Sequence, residues 1–298
     1  MNKRQSGPYL VTGASGQLGR LVLEHLIEAQ AAPIIATTRS PDKLSEYAER
    51  GVDVRVADFN EPATLASAFA GAKRVLIIST DDLAPGKRQE AHHAAINAAI
   101  KAKVEYVVYT SLTNPGPDSP ISFAADHSGT EAELIASGIS HAIMRNNLYT
   151  DLFLMTGPQA VAMGKHFAAA ADGKVGYVTR QDCAHAAASA LLTSSETATF
   201  DITGPALVGQ QEVAEMLSSA TGKEIAYVPI SVTELEAAIA QQGMPDSVAK
   251  VLASIDQAIA AGTLSVISSD VEKLTGVKPT SVSEFFTAHA DVLRGNAP

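Results

Sequence analysis

Cysteine is nearly absent: Cys183 stands alone among 298 residues, which excludes an intrachain disulfide and leaves the compartment unreadable from bridges. Its neighbours Ala184, His185 and Ala186 suggest a packed helix face rather than a reactive thiol. Basic residues are scarce too, with 22 Lys and Arg against 32 Asp and Glu and a formal charge of −10. A field of that sign repels nucleic acid and anionic membranes, so neither is an expected partner. Any site for a polyanion needs basic residues of its own. No apolar run reaches the roughly 18 residues of a membrane-spanning helix. The N-terminal segment carries Lys3 and Arg4 but enters a strand at once, without the apolar stretch of a secretory signal. A cytoplasmic protein is expected.

What is present is a core-forming pattern, 46% hydrophobic and 18% charged. Apolar strands are expected at 9–12, 34–38, 52–57, 74–79, 106–110 and 141–145. Helices at 18–29, 43–50, 62–69, 89–101 and 131–137 alternate with them. Strands apolar throughout suit a parallel sheet covered on both faces. The expected fold class is α/β, a Rossmann-like doubly wound parallel sheet with a smaller C-terminal α/β lobe on the substrate side. Beyond Arg145 the rhythm breaks, and 146–174, with its glycines and Pro158, reads as irregular chain with a short helix. A helix is expected to start at Thr179, where Thr179-Arg180-Gln181-Asp182 fits a cap followed by an acid. Helices are expected at 210–221 and 232–242, strands at 200–203 and 225–229, and a mostly helical tail at 248–261 and 281–293. Residues 1–150 are read as the nucleotide domain, with 176–204 returning to it; 151–175 and 205–298 form the smaller lobe.

The sharpest motif is Thr12-Gly13-Ala14-Ser15-Gly16-Gln17-Leu18-Gly19, which follows a strand and opens a helix. Gly13 allows a tight turn, Gly16 lets backbone N–H groups approach a pyrophosphate, and Gly19 permits close helix–sheet packing. The helix N-terminus favours the anion. Residues Gly13 to Leu18 are therefore expected to hold a dinucleotide. The end of the second strand chooses which one. An NAD site places an acid about 20 residues on, for the ribose 2′-hydroxyl. Here the stretch is Thr37-Thr38-Arg39-Ser40-Pro41-Asp42-Lys43, and Arg39 with Lys43 suits the 2′-phosphate of NADP. The alternative is two cations on a solvated turn.

Later strand ends add candidates. Asp58 and Phe59 are expected beside the adenine, with a plain turn acid as the alternative for Asp58. Ser79 and Thr80 are expected beneath the ribose and nicotinamide, and Ser111 ends the fifth strand. Ser111 has no nearby base in the sequence for nucleophilic work. His92 and His93 cannot both face one site, because adjacent helical residues point about 100° apart, and no metal is expected.

Ordinary short-chain dehydrogenases use Tyr-x-x-x-Lys to exchange a proton with a carbonyl. None of the 7 tyrosines has a lysine four places on. Counting from Ser111, the pair would fall at Phe123 and His127. His127 remains a candidate to hold the nicotinamide ribose as a donor, and it is the one candidate catalytic residue. The alternative is a solvent-facing histidine at a helix start. Without the relay, the chemistry suits acceptors that delocalise an incoming hydride.

The glycine loop, Arg39 to Lys43, His127-x-x-x-Glu131, Arg145-Asn146-Asn147-Leu148-Tyr149-Thr150-Asp151 and residues 173–182 resemble the NmrA-like atypical short-chain reductases. The likeness covers nearly the whole chain and is strongest to the NADPH:quinone reductase and triphenylmethane-dye reductase branch. That resemblance implies NADP as cofactor and a small conjugated organic substrate, with Asn146 and Asn147 near the nicotinamide. It also implies that Tyr149 and Phe153 wall the substrate pocket; core packing is the alternative for both. The family includes regulators that sense NADP(H) without turnover, which is the rival reading. A homodimer is compatible with the sequence.

Overall fold

The structure is a computed structural model and describes residues 4–84 and 86–296. Strand and helix alternate from the start: β1 (Tyr9–Val11), α1 (Gln17–Glu28), β2 (Ile34–Thr38), α2 (Ser45–Glu49), β3 (Asp53–Val56) and α3 (Pro62–Ala68). Next come β4 (Arg74–Ile77), α4 (Lys87–Lys101), β5 (Tyr106–Leu112), α5 (Ala124–Ala136) and β6 (Ser140–Asn146). The middle holds α6 (Phe153–Met163), β7 (Lys165–Ala168), β8 (Lys174–Val175), α7 (Arg180–Thr193) and β9 (Ala198–Ile202). The remainder is β10 (Val208–Gly209), α8 (Gln210–Thr221), β11 (Ala226–Pro229), α9 (Val232–Gln241) and α10 (Asp246–Ala260). The short helices α11 (Asp270–Thr275), α12 (Val282–Ala288) and α13 (Ala290–Leu293) end it.

Two units divide the chain. The first runs to Leu112 and resumes over Ala125–Arg145 and Arg180–Phe200; the second takes Thr113–Ala124, Asn146–Thr179 and the chain from Asp201 on.

In the first unit a 7-stranded sheet has the order β3-β2-β1-β4-β5-β6-β9. Pairing is parallel from β3 across to β5. Strands β1, β2, β4 and β5 are buried along their whole length, as a sheet covered on both faces demands. On one face Leu10, Ile35, Val75, Ile77 and Val107 pack with Phe69, Ile96 and Leu134. The order reverses beside β1, between β2 and β4, so the carboxyl ends of β1 and β4 form the switch point where such sheets bind ligands. Helix α7 packs along α1 and reaches β4 and β5. Arg74 on β4 is buried, donates to the α7 carbonyls of Leu191 (2.5 Å) and Ala190 (3.4 Å), and lies 4.3 Å from the Tyr106 ring centre. A cation at a helix C-terminus matches the negative end of the helix. Cys183 is buried on α7.

Several expectations need correction. Helix α5 begins at Ala124, well before the apolar run at 131, so His127 and Glu131 lie one turn apart on one helix face. Residues 43–50 are split into a 3-10 turn, Pro41–Leu44, and the short α2. The stretch 146–174 is mostly regular: it contains α6, β7 and β8.

Helix α6 passes through Pro158, which removes a donor yet does not end it. Tertiary contact explains this. Phe153, Gly157, Ala160 and Val161 are buried, and a Cβ on Gly157 would come within 2.6 Å of Leu293. The second unit pairs β7 with β11 in parallel and β8 with β10 antiparallel. Ser231 and Ser281 cap α9 and α12, each exchanging bonds with a glutamate three residues on.

Candidate functional site

The loop after β1 is built from backbone. Gly13 has φ +58, the left-handed region where glycine costs least. Gly19 is fixed by packing, since its Cβ would meet Gly13 O at 2.5 Å and Ala14 Cα at 2.7 Å. Gly16 differs: its φ is −76, and an added Cβ would approach only Gly13 O, at 3.2 Å. The polypeptide itself therefore gives little reason for glycine at 16, whereas a group lying on the loop gives a strong one. Gly13, Gly16 and Gln17 are exposed, and Ala14 and Leu18 are buried beneath them. No side chain caps the first turn of α1, and that turn has no acid, so its positive end is left for an anion. Ser15 Oγ is 2.7 Å from Thr38 Oγ1, which joins the loop to the end of β2.

Arg39 follows β2 directly and is exposed, as is Lys43 one turn on. The neighbouring Arg20 is engaged with Glu46 at 2.5 Å and with the Lys43 carbonyl. After β3, Asp58 accepts the Asn60 N–H at 2.9 Å, an Asx turn, and Phe59 leans on the core.

After β4, the Ser79 N–H donates to Thr110 Oγ1 and the Thr80 N–H donates to His92 Nε2 at 3.0 Å. The Thr80 hydroxyl oxygen is shut off from solvent and has no hydrogen-bond partner among the described residues. Leaving a buried polar group unmade costs about 1–3 kcal/mol, a cost that a bound polar group would remove.

His127 is buried on α5, with Nδ1 2.8 Å from the Tyr109 hydroxyl. Burial pulls its pKa down to about 3, and the charges of Arg88 and then His92 push the same way. The ring is neutral near pH 7. Burial raises the Tyr109 phenol well above its ordinary value, so it keeps its proton and is a poor general acid. His92 is also brought to about 3, by burial and then Arg88. His93, its neighbour, is exposed and sits against Glu133 at 2.5 Å.

The expectation that Ser111 lacks a nearby base is overturned. Its hydroxyl donates to Glu131 at 2.5 Å, across a gap of chain that sequence proximity hides. The same carboxylate takes two N–H groups of Arg145, at 3.0 and 2.7 Å, so it is occupied as an anchor.

In the second unit the Asn146 amide donates to the Tyr149 hydroxyl at 3.1 Å, while Asn146 Oδ1 is buried without a partner among the described residues. Asn147 is spent on structure: its amide donates to Leu264 O at 3.0 Å and its oxygen accepts the Leu148 N–H at 2.8 Å. Phe153 is 8% exposed and packs edge-on against Tyr177 and Phe286. Tyr149 is partly exposed and bridges to Val178.

Sequence reasoning weighed His92 only as a metal ligand and passed over Tyr109 and Thr130. The signal was present in α4, where Arg88 and His92 interrupt the buried stripe of Ala91, Ala95, Ile96 and Ala99. Polar residues on a stripe facing the core need partners there.

In the first unit the loop, the open helix end and the orphaned Thr80 oxygen fit a dinucleotide, and comparison with known proteins agrees. The family model described as NAD(P)H-binding matches residues 13–194. Quinone oxidoreductase 2 of Escherichia coli is 35% identical over 276 residues, 92% of this chain and 96% of that one. The crystal structure of the E. coli NADPH-dependent quinone oxidoreductase in complex with NADPH has a TM-score of 0.89 at 34% identity, covering 94% and 99%. The triphenylmethane reductase of Citrobacter sp. with NADP(H) gives 0.87 at 34% identity, covering 95% and 99%. The chain belongs to the NAD(P)H-binding family, among its NmrA-like oxidoreductases.

Proposed function

We propose that this protein is an NADPH-dependent reductase that passes hydride to a conjugated acceptor, such as a quinone or a triphenylmethane dye, with no protein proton relay. The observation that carries the reading is His127: the residue at the place of the missing relay is a buried, neutral imidazole. Similarity to quinone and dye reductases supports the acceptor class.

Bound NADPH supplies two electrons and a proton as hydride from its C4 position. The residues of this chain bind and orient. Backbone N–H groups from Gly13 to Leu18 and the open end of α1 take the pyrophosphate, and Arg39 with Lys43 takes the 2′-phosphate. Asp58 and Phe59 border the adenine, while Ser79, Thr80, Ser111 and Asn146 line the path to the nicotinamide. His127 holds the ribose as a donor; to act as an acid it would have to become an imidazolate. Asn147, Tyr149 and Phe153 shape the acceptor side, Tyr149 by contact and the other two as its support. A quinone then takes its balancing proton from water, and a triarylmethyl cation needs none. Proximity supplies most of the rate. The cofactor and a small acceptor are the only partners invoked, in the cytoplasm.

The test is steady-state oxidation of NADPH and NADH with menadione, a triphenylmethane dye and a simple ketone. Turnover with the first two acceptors, faster with NADPH and negligible with the ketone, is expected. Tight NADPH binding with no turnover on any acceptor overturns the reading in favour of a sensor.

A further inference from the structure

We propose that His127 is locked in a single tautomer, with its proton on Nε2, by a buried chain of hydrogen bonds that starts at the Thr80 amide and passes through His92 and Tyr109. In this view His92, Tyr109 and Thr130 are positioning residues, and they make His127 a fixed donor toward the cofactor. The cofactor half rests on the functional reading above.

The directions start from two groups that have no choice, a backbone N–H and a backbone carbonyl. The Thr80 backbone N–H can only donate, and it points at His92 Nε2 at 3.0 Å. That nitrogen is therefore an acceptor, and the neutral ring carries its proton on Nδ1. The other side gives the same answer. Thr130 Oγ1 lies 2.7 Å from the Asp126 carbonyl, which can only accept, so the threonine proton is spent there. Thr130 Oγ1 must then receive the bond from His92 Nδ1, at 2.9 Å. Two independent constraints fix one ring.

Tyr109 comes next. Its hydroxyl is 3.3 Å from His92 Nδ1 and 2.8 Å from His127 Nδ1. His92 Nδ1 already bears a proton and has no lone pair to offer. Thr130, the other group beside the phenol, already gives its proton to Asp126 and takes that of His92, so His127 Nδ1 at 2.8 Å is the acceptor left for the phenolic O–H, which leaves the His127 proton on Nε2. The two histidines are in opposite tautomers. Burial keeps both neutral, so neither can satisfy its neighbours by becoming an imidazolium.

The chain also links two ends of the site. The residue that sends the Thr80 amide into it has its own hydroxyl oxygen buried without a partner among the described residues. The chain thus starts at the amide of a residue whose hydroxyl is unbonded among the described residues and ends on the Nε2–H of His127. A ring free to change tautomer would divide its population between donor and acceptor forms at Nε2, and only one form suits a given sugar hydroxyl.

The first measurement is 15N NMR of protein labelled at the histidine rings, without cofactor. His92 is expected as the Nδ1–H form and His127 as the Nε2–H form at pH 7. Any other assignment, or averaging between forms, overturns the chain whatever the protein binds. The second measurement is kinetic. Tyr109→Phe removes the O–H that fixes His127, and it should raise the KM for NADPH about three- to tenfold, the range of one hydrogen bond, with kcat within about twofold. Opposite tautomers with an unchanged KM and Kd for NADPH in Tyr109→Phe overturn the cofactor half. Failure of the wild type to oxidise NADPH would strike the functional reading instead, and the spectrum keeps the two apart. Should Tyr109→Phe not fold, Thr130→Val takes its place. It should move the His92 and His127 ring resonances together, and a change confined to His92 overturns the proposal.

Discussion

The loop after β1 and the segment after β6 both leave the carboxyl ends of strands, and they are built in opposite ways. The first keeps its groups unspent: exposed glycines, an uncapped helix end, and a glycine at 16 for which the chain gives little reason. The second spends nearly everything. Both ends of the Asn147 amide are bonded and Phe153 is in an aromatic cluster, which leaves Asn146 Oδ1 and Thr150 Oγ1 as its unused atoms among the described residues. A phosphate group is recognised by backbone geometry that a few residues can encode. An apolar acceptor needs a shaped wall, and a wall must be supported from behind.

That comparison breaks first at Gly16. Gly16→Val should abolish NADPH binding while leaving the thermal midpoint near wild type, because the side chain fills ligand space. Gly19→Val should instead lower the midpoint, since even its Cβ lies 2.5 Å from Gly13 O. Wild-type NADPH affinity in Gly16→Val, measured by fluorescence titration, would reduce the loop to a structural turn.

Phe153→Ala tests the other region. Removing a buried aromatic ring typically costs about 3–5 kcal/mol, and denaturant unfolding should show a loss on that scale. A stable variant with a changed acceptor KM would move Phe153 from support to contact. Arg39→Ala is the sharper probe of nucleotide choice. NADPH affinity should fall by about 1.5–3 kcal/mol, the scale of a charge-assisted bond, with NADH little affected. Equal losses for both nucleotides would remove the 2′-phosphate assignment.

A different effect concerns acid. His92 and His127 sit near 3 in the folded protein against an ordinary 6.5. Between those values the unfolded chain binds protons that the native state refuses, so stability is full above about pH 6.5 and declines as the pH falls toward 3. Each histidine contributes a slope of up to about 1.4 kcal/mol per pH unit in that window. His127→Gln should flatten the dependence, as read by urea midpoints from pH 7 to 4.5. An unchanged slope would mean the His127 ring is not held neutral. The same residue separates two roles in catalysis. His127→Ala should raise the NADPH KM and lower turnover by well under the roughly hundredfold minimum typical of a lost general acid.

Much of the fold was legible because its cause is local. The helix at 210–221 and the β1–loop–α1 unit follow from apolar period, glycine spacing and the strand that precedes them. Helix α6 was not legible, because Pro158 argues against it and only contacts such as Gly157 with Leu293 override that. Nor was the start of α5, since Ala124 to Thr130 lacks the apolar repeat that marks 131–137.

The sequence by itself determined the glycine spacing after β1, the two cations after β2 and the lack of a lysine four places beyond any tyrosine, since each rests on residue type at a fixed spacing along one stretch of chain. Only the tertiary structure decided that Ser111 is bound to Glu131, that Asn147 is committed to Leu264, and that His92, Tyr109 and His127 share one network. The physical reason is that a hydrogen bond between residues remote in sequence depends on distance and direction. Packing sets both, and no spacing rule records them.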